Sequence, residues 1–283
     1  MQADADLLPL MALCHALPLA SLEPRRPLHL GIWQEEWEDN LAILDNFAQE
    51  VASSQACAHR APDRLPEACV QWENAAQTAS TLLRMAIDRG APATMLRALY
   101  RAVVPLWLDY AQVLRHAQSA GCAPVPQAIR PATTDYQFAL QLLALGVLLD
   151  EADDIPAIVE QLLHWHTDRV LDYLSAAELD LQEASETCLH PQPFAGLDAF
   201  FEQYGEVSPA PLLPYLEQHY SHFFALSAQE QKQHPRLQGP QAWGWWALEV
   251  GALVVLYGLD DTALRDVSHY PADLVDYALG IRD

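Results

Sequence analysis

Apolar residues recur at spacings of three and four along almost the whole chain, and alternating apolar and polar runs bounded by hairpin turns are absent. A spacing of three to four places apolar side chains on one side of a helix, whereas a half-buried strand shows strict alternation. The pattern therefore predicts an all-α fold of roughly eight to nine packed antiparallel helices. The predicted helices span residues 35–54, 66–90, 92–118, 133–149, 154–176, 195–203, 209–225, 242–257 and 271–279.

Acidic residues outnumber basic ones, and most strongly in the second half of the chain. The 283 residues include 38 Asp and Glu against 15 Lys and Arg. Residues 131–283 hold 24 of these acids and 5 of the bases, a net charge of −19. Such a field repels nucleic acid and anionic membranes, so both are excluded as direct ligands and a basic partner is favoured. Acidity that only serves solubility is the alternative.

Two proline-bearing segments, at residues 122–131 and 234–240, are the strongest candidates for connectors between helices. Domain boundaries usually fall in such linkers, and the charge balance changes at the first of them. We therefore predict an N-terminal helical half at residues 1–125 and an acidic C-terminal helical half at residues 126–283.

The apolar run near the N-terminus raises the question of a signal peptide. Signal peptides begin with positive charge, but here acidic residues precede the run and the first base is Arg25. No run reaches the roughly 18 apolar residues of a membrane span. The cysteines are odd in number and lack metal-ligand spacing: Cys14, Cys57, Cys69, Cys122 and Cys188. We therefore expect a cytoplasmic protein with reduced thiols and no membrane association.

Two acidic clusters are candidates for chemistry: Asp150, Glu151, Asp153 and Asp154, and then Asp260, Asp261 and Asp266. Paired aspartate clusters resemble the sites that hold magnesium and diphosphate in isoprenoid synthases. Such a site also needs several bases for the diphosphate, and the second half of the chain has only 5. Capping of the helix that follows Asp154 is the simpler interpretation.

Histidine pairs give no convincing metal site. His164 and His166 are two residues apart and do not share a helix face. His219 and His222 have a spacing that can bind zinc, but the sequence offers neither a glutamate base nor a third ligand beside them. The sequence also lacks the GxSxG, P-loop, GxGxxG, Cys-His and paired-carboxylate signatures of common enzyme classes. We predict no metal, no cofactor and no enzymatic activity, with a magnesium-dependent diphosphate enzyme as the enzymatic alternative.

One carboxylate, Glu249, lies within the apolar helix predicted at residues 242–257. Helical spacing places Trp245, Leu248 and Ala252 on the same face. A carboxylate on such a face must be paired or protonated, because an isolated buried charge is too costly. We predict that Glu249 is a buried polar anchor. Its expected partners are Arg265, the hydroxyls of Tyr257 and Tyr270, or backbone amides at a helix start.

The residues after this helix predict a helix-turn-helix clasp. Gly258 provides a left-handed helix cap, a short turn runs through Arg265, and Tyr270 and Pro271 precede the last helix. The small residues Gly251 and Ala252 would let another helix approach closely.

The segment GWWALEVGALVVLYGLDDTALRDVSHYPADLVDYA resembles the C-terminal signature of the PoNi immunity proteins. The matching features are, in order, Trp245, Trp246 and Glu249, the turn at residues 258–261, Arg265 with Asp266, and Tyr270 with Pro271. The N-terminal half is similar to the companion domain of the same family through the helices around residues 82–100 and 136–154.

PoNi proteins neutralise PoNe-type DNase toxins delivered by bacterial type VI and related secretion systems in interbacterial competition. The resemblance implies a cytoplasmic, non-enzymatic inhibitor, monomeric or homodimeric, whose acidic surface blocks the basic nuclease site. As toxin-binding candidates we take the two acidic clusters: Asp150, Glu151, Asp153, Asp154, Asp260, Asp261 and Asp266. The alternative is an acidic helical scaffold that binds another basic protein or a toxin of different activity.

Overall fold

The computed structural model describes residues 7–54, 64–122, 127–131, 135–164, 167–181, 183–219, 229, 232 and 244–280. Within these residues the chain forms helices and turns and no strand, which confirms the all-α prediction. The chain divides into two compact units. The N-terminal unit comprises Met1–Arg130 with Glu160–His164, and the C-terminal unit comprises Pro131–Val159 with Trp165–Asp283.

Four α-helices make up the described part of residues 7–122: α1 (Leu7–Ala16), α2 (Leu30–Ser54), α3 (Leu65–Arg89) and α4 (Ala93–Ser119). α3 packs along both α2 and α4, and α1 packs on α2 and α4. Large aromatic residues fill the core between them. Trp107 is fully buried, and its indole N–H is satisfied by the Ser80 hydroxyl at 2.8 Å.

The segment before α2 is fastened to the C-terminal end of α3. The guanidinium of Arg25 donates to the carbonyl of Ile87 in the last turn of α3 and to that of Ala91 just beyond it, both at 2.8 Å. Arg26 forms a fully buried ion pair with Asp88 at 2.8 Å. These contacts hold the segment before α2 against the C-terminal end of α3.

Shorter helices make up the described chain after residue 135: α5 (Tyr136–Leu148), α6 (Ile155–Leu162), α7 (Arg169–Ser175), α8 (Pro191–Phe194), α9 (Asp198–Phe201), α10 (Leu212–Gln218), α11 (Leu248–Tyr257) and α12 (Ala272–Ala278). Every residue of α5 is buried, because α7, α11 and α12 all pack against it. An α-helix that is apolar on all sides is typical of a domain centre. α5 therefore forms the centre of the C-terminal unit.

Several predicted helix bounds are wrong. The helix predicted at residues 154–176 is interrupted: α6 ends at Leu162, and α7 begins at Arg169 after an N-cap at Asp168. The helix predicted at residues 195–203 is reduced to the single turn of α9. Sequence pattern also missed α1, whose buried residues nevertheless follow the three-to-four spacing: Leu7, Leu10, Met11 and Cys14.

The helix expected at residues 242–257 begins only at Leu248, so Trp245 does not lie on it. The preceding residues are held in a non-helical conformation by the loop before α12. The Ala247 amide donates to the His269 carbonyl at 3.0 Å, and the His269 ring Nδ1 donates to the Trp245 carbonyl at 2.8 Å. These bonds replace those of an extra helical turn.

Gly251 of α11 faces Pro271 and the α12 residue Val275 at short distance. A Cβ atom on this glycine would lie 2.8 Å from Pro271 and 3.2 Å from Val275, nearer than side chains normally pack. The small residue is therefore required by the packing of the two helices. No helix in the described ranges is long and apolar enough to cross a membrane.

Candidate functional site

Glu249 lies in the first turn of α11 and has no exposed surface. The hydroxyl of Tyr215, on α10, lies 2.5 Å from Glu249 Oε1, and His219 Nδ1 lies 3.1 Å from that hydroxyl and 3.3 Å from Oε1. The prediction of a buried glutamate with a polar partner is therefore confirmed. The partner is Tyr215, so the partners expected from sequence are wrong.

The three groups have the right hydrogen-bonding capacity for an uncharged chain. His219 Nε2 lies 2.7 Å from the Gly244 carbonyl, so this nitrogen carries the proton and Nδ1 accepts. The Tyr215 hydroxyl donates to Glu249 Oε1, and a protonated Glu249 can in turn donate to His219 Nδ1, 3.3 Å away. If Glu249 is ionised, the single Tyr215 proton serves either the carboxylate or the imidazole, but not both. The geometry therefore favours the neutral acid.

Burial favours the uncharged form of both Glu249 and His219. It raises the pKa of Glu249 to about 7, although the hydrogen bond from Tyr215 opposes the shift. It also lowers the pKa of His219 to about 3, with a further contribution from nearby His269. Glu249 Oε2 is buried and has no hydrogen-bond partner among the described residues. An ionised carboxylate here would therefore be poorly compensated.

A second buried acid site lies beyond α11 and contains a cation. Arg265 Nε donates to Asp261 Oδ1 at 2.7 Å, and Arg265 Nη2 donates to Asp276 Oδ1 at 2.6 Å. The Tyr270 hydroxyl donates to the other oxygen of Asp261 at 2.7 Å. Both carboxylates are buried, so these contacts tie the turn after α11 to α12. Hydrogen bonds from Arg265 to Asp276 and Asp261 raise the pKa of the guanidinium.

A further buried carboxylate, Asp168, was not found by sequence reasoning. Its Oδ1 accepts from the Tyr136 hydroxyl at 2.8 Å and from the Leu171 amide at 2.9 Å, and its Oδ2 accepts from the Leu189 amide at 2.7 Å. It is fully buried and caps the N-terminus of α7. Because the predicted helix ran through this position, the cap signal was lost.

The candidate toxin-binding acids differ in their surroundings. Asp150, Asp153, Asp260 and Asp266 are exposed, Glu151 and Asp154 are half-buried, and Asp261 is buried in the Arg265 network. Asp150 adopts a left-handed conformation with φ of 57°. Asp260 accepts hydrogen bonds from the hydroxyl and the amide of Thr262, at 2.6 and 3.0 Å, and these lower its pKa.

The remaining signature residues shape the ends of α11 and α12. Trp245 is buried, and its ring lies 4.7 Å from that of His269, centroid to centroid, while Trp246 is half-buried. Gly258 ends α11 with φ of 59°, in the left-handed region that glycine adopts without strain. Pro271 precedes the first residue of α12.

Metal binding finds no support in the described ranges, where no group of three or more His, Cys, Asp or Glu could hold an ion. His219 is part of the Glu249 chain, and His164 lies at a cleft of the N-terminal unit. Several residues considered from the sequence lie outside the described ranges: Cys57, His166, His222 and the connector at residues 234–240.

Comparison with known proteins gives matches in both halves of the chain. Residues 1–122 match a family model described as PA2201 N-terminal domain-like, and residues 166–274 match one described as PoNe immunity proteins (PoNi), C-terminal. The crystal structure of protein PA2201 from Pseudomonas aeruginosa is 45% identical in sequence, with a TM-score of 0.87. The alignment covers 100% of both chains. A search of curated proteins found no match.

Proposed function

Because this chain belongs to the PoNi family of immunity proteins, we propose that it binds and inhibits a cognate secreted DNase toxin, with its acidic surface blocking the basic nuclease site. The observation that carries the proposal is the match of residues 166–274 to the PoNi C-terminal model. That segment contains the Glu249 chain and all of the Arg265 network except Asp276, which lies two residues beyond it.

Charge supports a nuclease as the target. A DNase site must be basic, because it holds phosphate groups. Residues 131–283 have a net charge of −19, and Asp150, Asp153, Asp260 and Asp266 are exposed within them. A protein face with this charge can occupy a phosphate-binding groove and offers no phosphodiester bond to cleave. Acidic residues around such a contact would also accelerate association with a basic partner.

The proposal requires stoichiometric binding without turnover. Purified protein should suppress the DNase activity of the toxin encoded beside its gene at a near-equimolar ratio. Silencing of a large molar excess of toxin, or hydrolysis of the toxin, would contradict it. Light scattering of the free protein and of the complex distinguishes a monomer from a homodimer. We expect the protein to act in the cytoplasm of the producing cell, against a toxin that is delivered by a type VI or related secretion system.

The acidic clusters can be tested for a role in steering. Charge reversal of Asp150, Glu151, Asp153 and Asp154 together, or of Asp260 and Asp266 together, should slow association with the toxin several-fold at low salt and less at high salt. Charge reversal of Glu35 and Asp39, which are exposed on α2 of the N-terminal unit, is the matched control. Wild-type rates in both cluster variants across the salt range would show that these acids are not at the binding face.

An acidic helical scaffold for another basic protein is the competing proposal. It predicts tight binding to a basic protein other than the neighbouring toxin, together with no effect on the DNase activity of that toxin. The equimolar inhibition assay therefore distinguishes the two.

A further inference from the structure

Aromatic side chains form a packed group in the C-terminal unit. The ring of Tyr173 lies 4.1 Å from that of Phe201, Phe201 lies 5.8 Å from Phe200, and Phe200 meets Tyr257 edge-on at 5.4 Å, all between centroids. We call these four residues the aromatic ledge. Phe200 and Phe201 are buried, whereas Tyr257 is 41% exposed at the end of α11. The ledge therefore extends from buried residues to a partly exposed tyrosine.

Three residues beyond Phe201, Tyr204 is 95% exposed, an unusual degree for a large aromatic residue. The loop that carries it is held in one shape. The Gln203 side chain donates to the Ser208 carbonyl at 3.0 Å and accepts from the Ser208 amide at 2.9 Å, while Gly205 takes a φ of 82°. Because these bonds hold both sides of the loop, binding through Tyr204 would cost little additional ordering.

The surroundings of the ledge and of Tyr204 are acidic. Glu202, Glu206 and Asp260 are exposed beside them in sequence, and Asp198 is partly exposed. Arg169 is the basic residue in contact with the ledge, with its Cζ atom 5.3 Å from the Phe201 ring centroid. Its charge is compensated by Asp198 at 3.1 Å and Glu202 at 4.0 Å. The exposed residues that neighbour the ledge and Tyr204 in sequence are therefore predominantly acidic.

We propose that Tyr204 and Tyr257 are the anchors through which this protein docks on a basic protein surface, namely the nuclease domain of its toxin. This inference rests on the proposed function and specifies where the contact lies. Tyrosine combines a large apolar ring with a hydrogen-bonding hydroxyl and is enriched among residues that dominate binding energy. The acids around the two tyrosines select a basic partner. They also disfavour a second copy of the same face and an anionic membrane.

Binding kinetics separate anchors from surrounding charges. The probe is the catalytically inactivated nuclease domain encoded beside the gene, immobilised for surface plasmon resonance. Tyr204→Ala should raise the dissociation rate about tenfold or more at every salt concentration, because an anchor acts at short range. Tyr204→Phe keeps the ring and should retain most of the affinity. Glu206→Gln should instead lower the association rate, and only at low salt.

Variants at other exposed sites control for folding and for non-specific effects. Tyr204→Ala is the variant least prone to disturb folding, because the side chain is almost fully exposed. Tyr257→Ala loses its contact with Phe200, so its thermal unfolding is measured alongside binding. Ile43→Ala, at a position 46% exposed on α2 of the N-terminal unit, should bind as wild type does.

The outcomes distinguish this inference from the function on which it rests. If wild-type protein binds the nuclease domain and both tyrosine-to-alanine variants dissociate at the wild-type rate, the docking site is wrong and the immunity function stands. An equal loss of binding in Ile43→Ala would also overturn the assignment. If wild-type protein does not bind the nuclease domain, the proposed function fails and the inference fails with it.

Discussion

Glu249 and Asp261 lie close together in the sequence and are both buried, yet their carboxylates are compensated in different ways. Asp261 shares the guanidinium of Arg265 with Asp276 and also accepts from Tyr270. Glu249 contacts a tyrosine hydroxyl and a neutral imidazole. The Asp261 carboxylate is paired with a cation. The carboxylate with neutral neighbours has its pKa raised to about 7.

The comparison shows that burial alone does not decide the charge of an acidic side chain in this protein. A positive charge within hydrogen-bonding distance favours the ion, whereas neutral donors inside an apolar core leave the desolvation cost largely unpaid. The Arg265 network is therefore expected to lose stability when its cation is removed, and the Glu249 site when its proton is lost.

Removing the cation should have the largest effect. Arg265→Ala leaves the two buried carboxylates of Asp261 and Asp276 near each other without compensation, and we expect a loss of about 2–4 kcal/mol in the free energy of unfolding. The value lies below that of a fully buried ion pair, because the Arg265 side chain is 35% exposed and water can replace part of its contacts. Urea denaturation at neutral pH measures the loss.

Arg265→Lys is the matched control for this prediction. A lysine ammonium keeps the charge but cannot bridge two carboxylates as the planar guanidinium does, so an intermediate loss is expected. Wild-type stability in Arg265→Ala would mean that the network does not depend on its cation.

Truncating the neutral site should cost less. Glu249→Ala removes the partner of the Tyr215 hydroxyl and leaves a cavity beside His219, and we expect a loss of about 1–3 kcal/mol at pH 7. Glu249→Gln retains the shape of the protonated acid and should be close to wild type at this pH. Equal losses in the two variants would argue that side-chain volume and hydrogen-bonding capacity do not matter at this site.

The pH dependence of stability should distinguish Glu249 from the Arg265 network. The pKa of Glu249 is about 7 in the folded protein and 4.5 when the side chain is fully solvated, as in the unfolded chain. The folded protein therefore binds this proton more tightly. Its contribution is fully present below about pH 4.5 and is lost as the pH rises through about 7. Relative to Glu249→Gln, wild-type protein should lose roughly 2–3 kcal/mol between pH 5 and pH 8.

Taking the difference between these two proteins removes an opposing contribution. Burial lowers the pKa of His219 from 6.5 to about 3, so the contribution of His219 to stability is lost as the pH falls from about 6.5 to about 3. Both proteins contain His219, so this contribution cancels in the difference. Unfolding free energies measured at unit pH intervals should give a difference that declines through neutral pH. A difference that is constant from pH 5 to pH 8 would refute a protonated Glu249.

The smallest effect on stability is expected at Asp260, the exposed neighbour of Asp261. Asp260→Ala removes only its hydrogen bonds to Thr262, and water can replace them. Thermal unfolding should therefore stay near that of wild type, while association with the toxin at low salt becomes slower. Asp261→Asn should show the reverse pattern. If Asp260→Ala destabilises the protein as strongly as Asp261→Asn, the contrast between surface and buried acid in this turn is wrong.

The local spacing of apolar residues was sufficient to predict the fold class and the long helices. α3 and α4 begin and end within one residue of their predicted bounds, because each has a continuous apolar face and ends at glycine, proline or a neighbouring turn. α1 was not predicted, although its buried residues follow the three-to-four spacing. Pro9 lies in the first turn of α1, where a missing amide proton costs nothing.

Partners from distant parts of the chain could not be predicted. Glu249 was recognised as buried from its apolar neighbours, but Tyr215 lies 34 residues earlier, and no local spacing connects the two. The failure at Asp261 was local: Arg265 and Tyr270 are only four and nine residues away, but the irregular turn that brings them onto the carboxylate has no fixed spacing. Asp168 is bonded to residues as far as 32 positions away. Local spacing in the sequence therefore did not identify the partners of Glu249, Asp261 or Asp168.

The complete burial of α5 has a consequence for synthesis on the ribosome. α5 ends at Leu148, but α11, which covers much of it, begins about 100 residues later at Leu248. At translation rates of roughly 5–20 residues per second, this apolar helix emerges about 5–20 seconds before its cover. A nascent chain in that interval exposes a surface that chaperones bind, and a product terminated before Leu248 would aggregate.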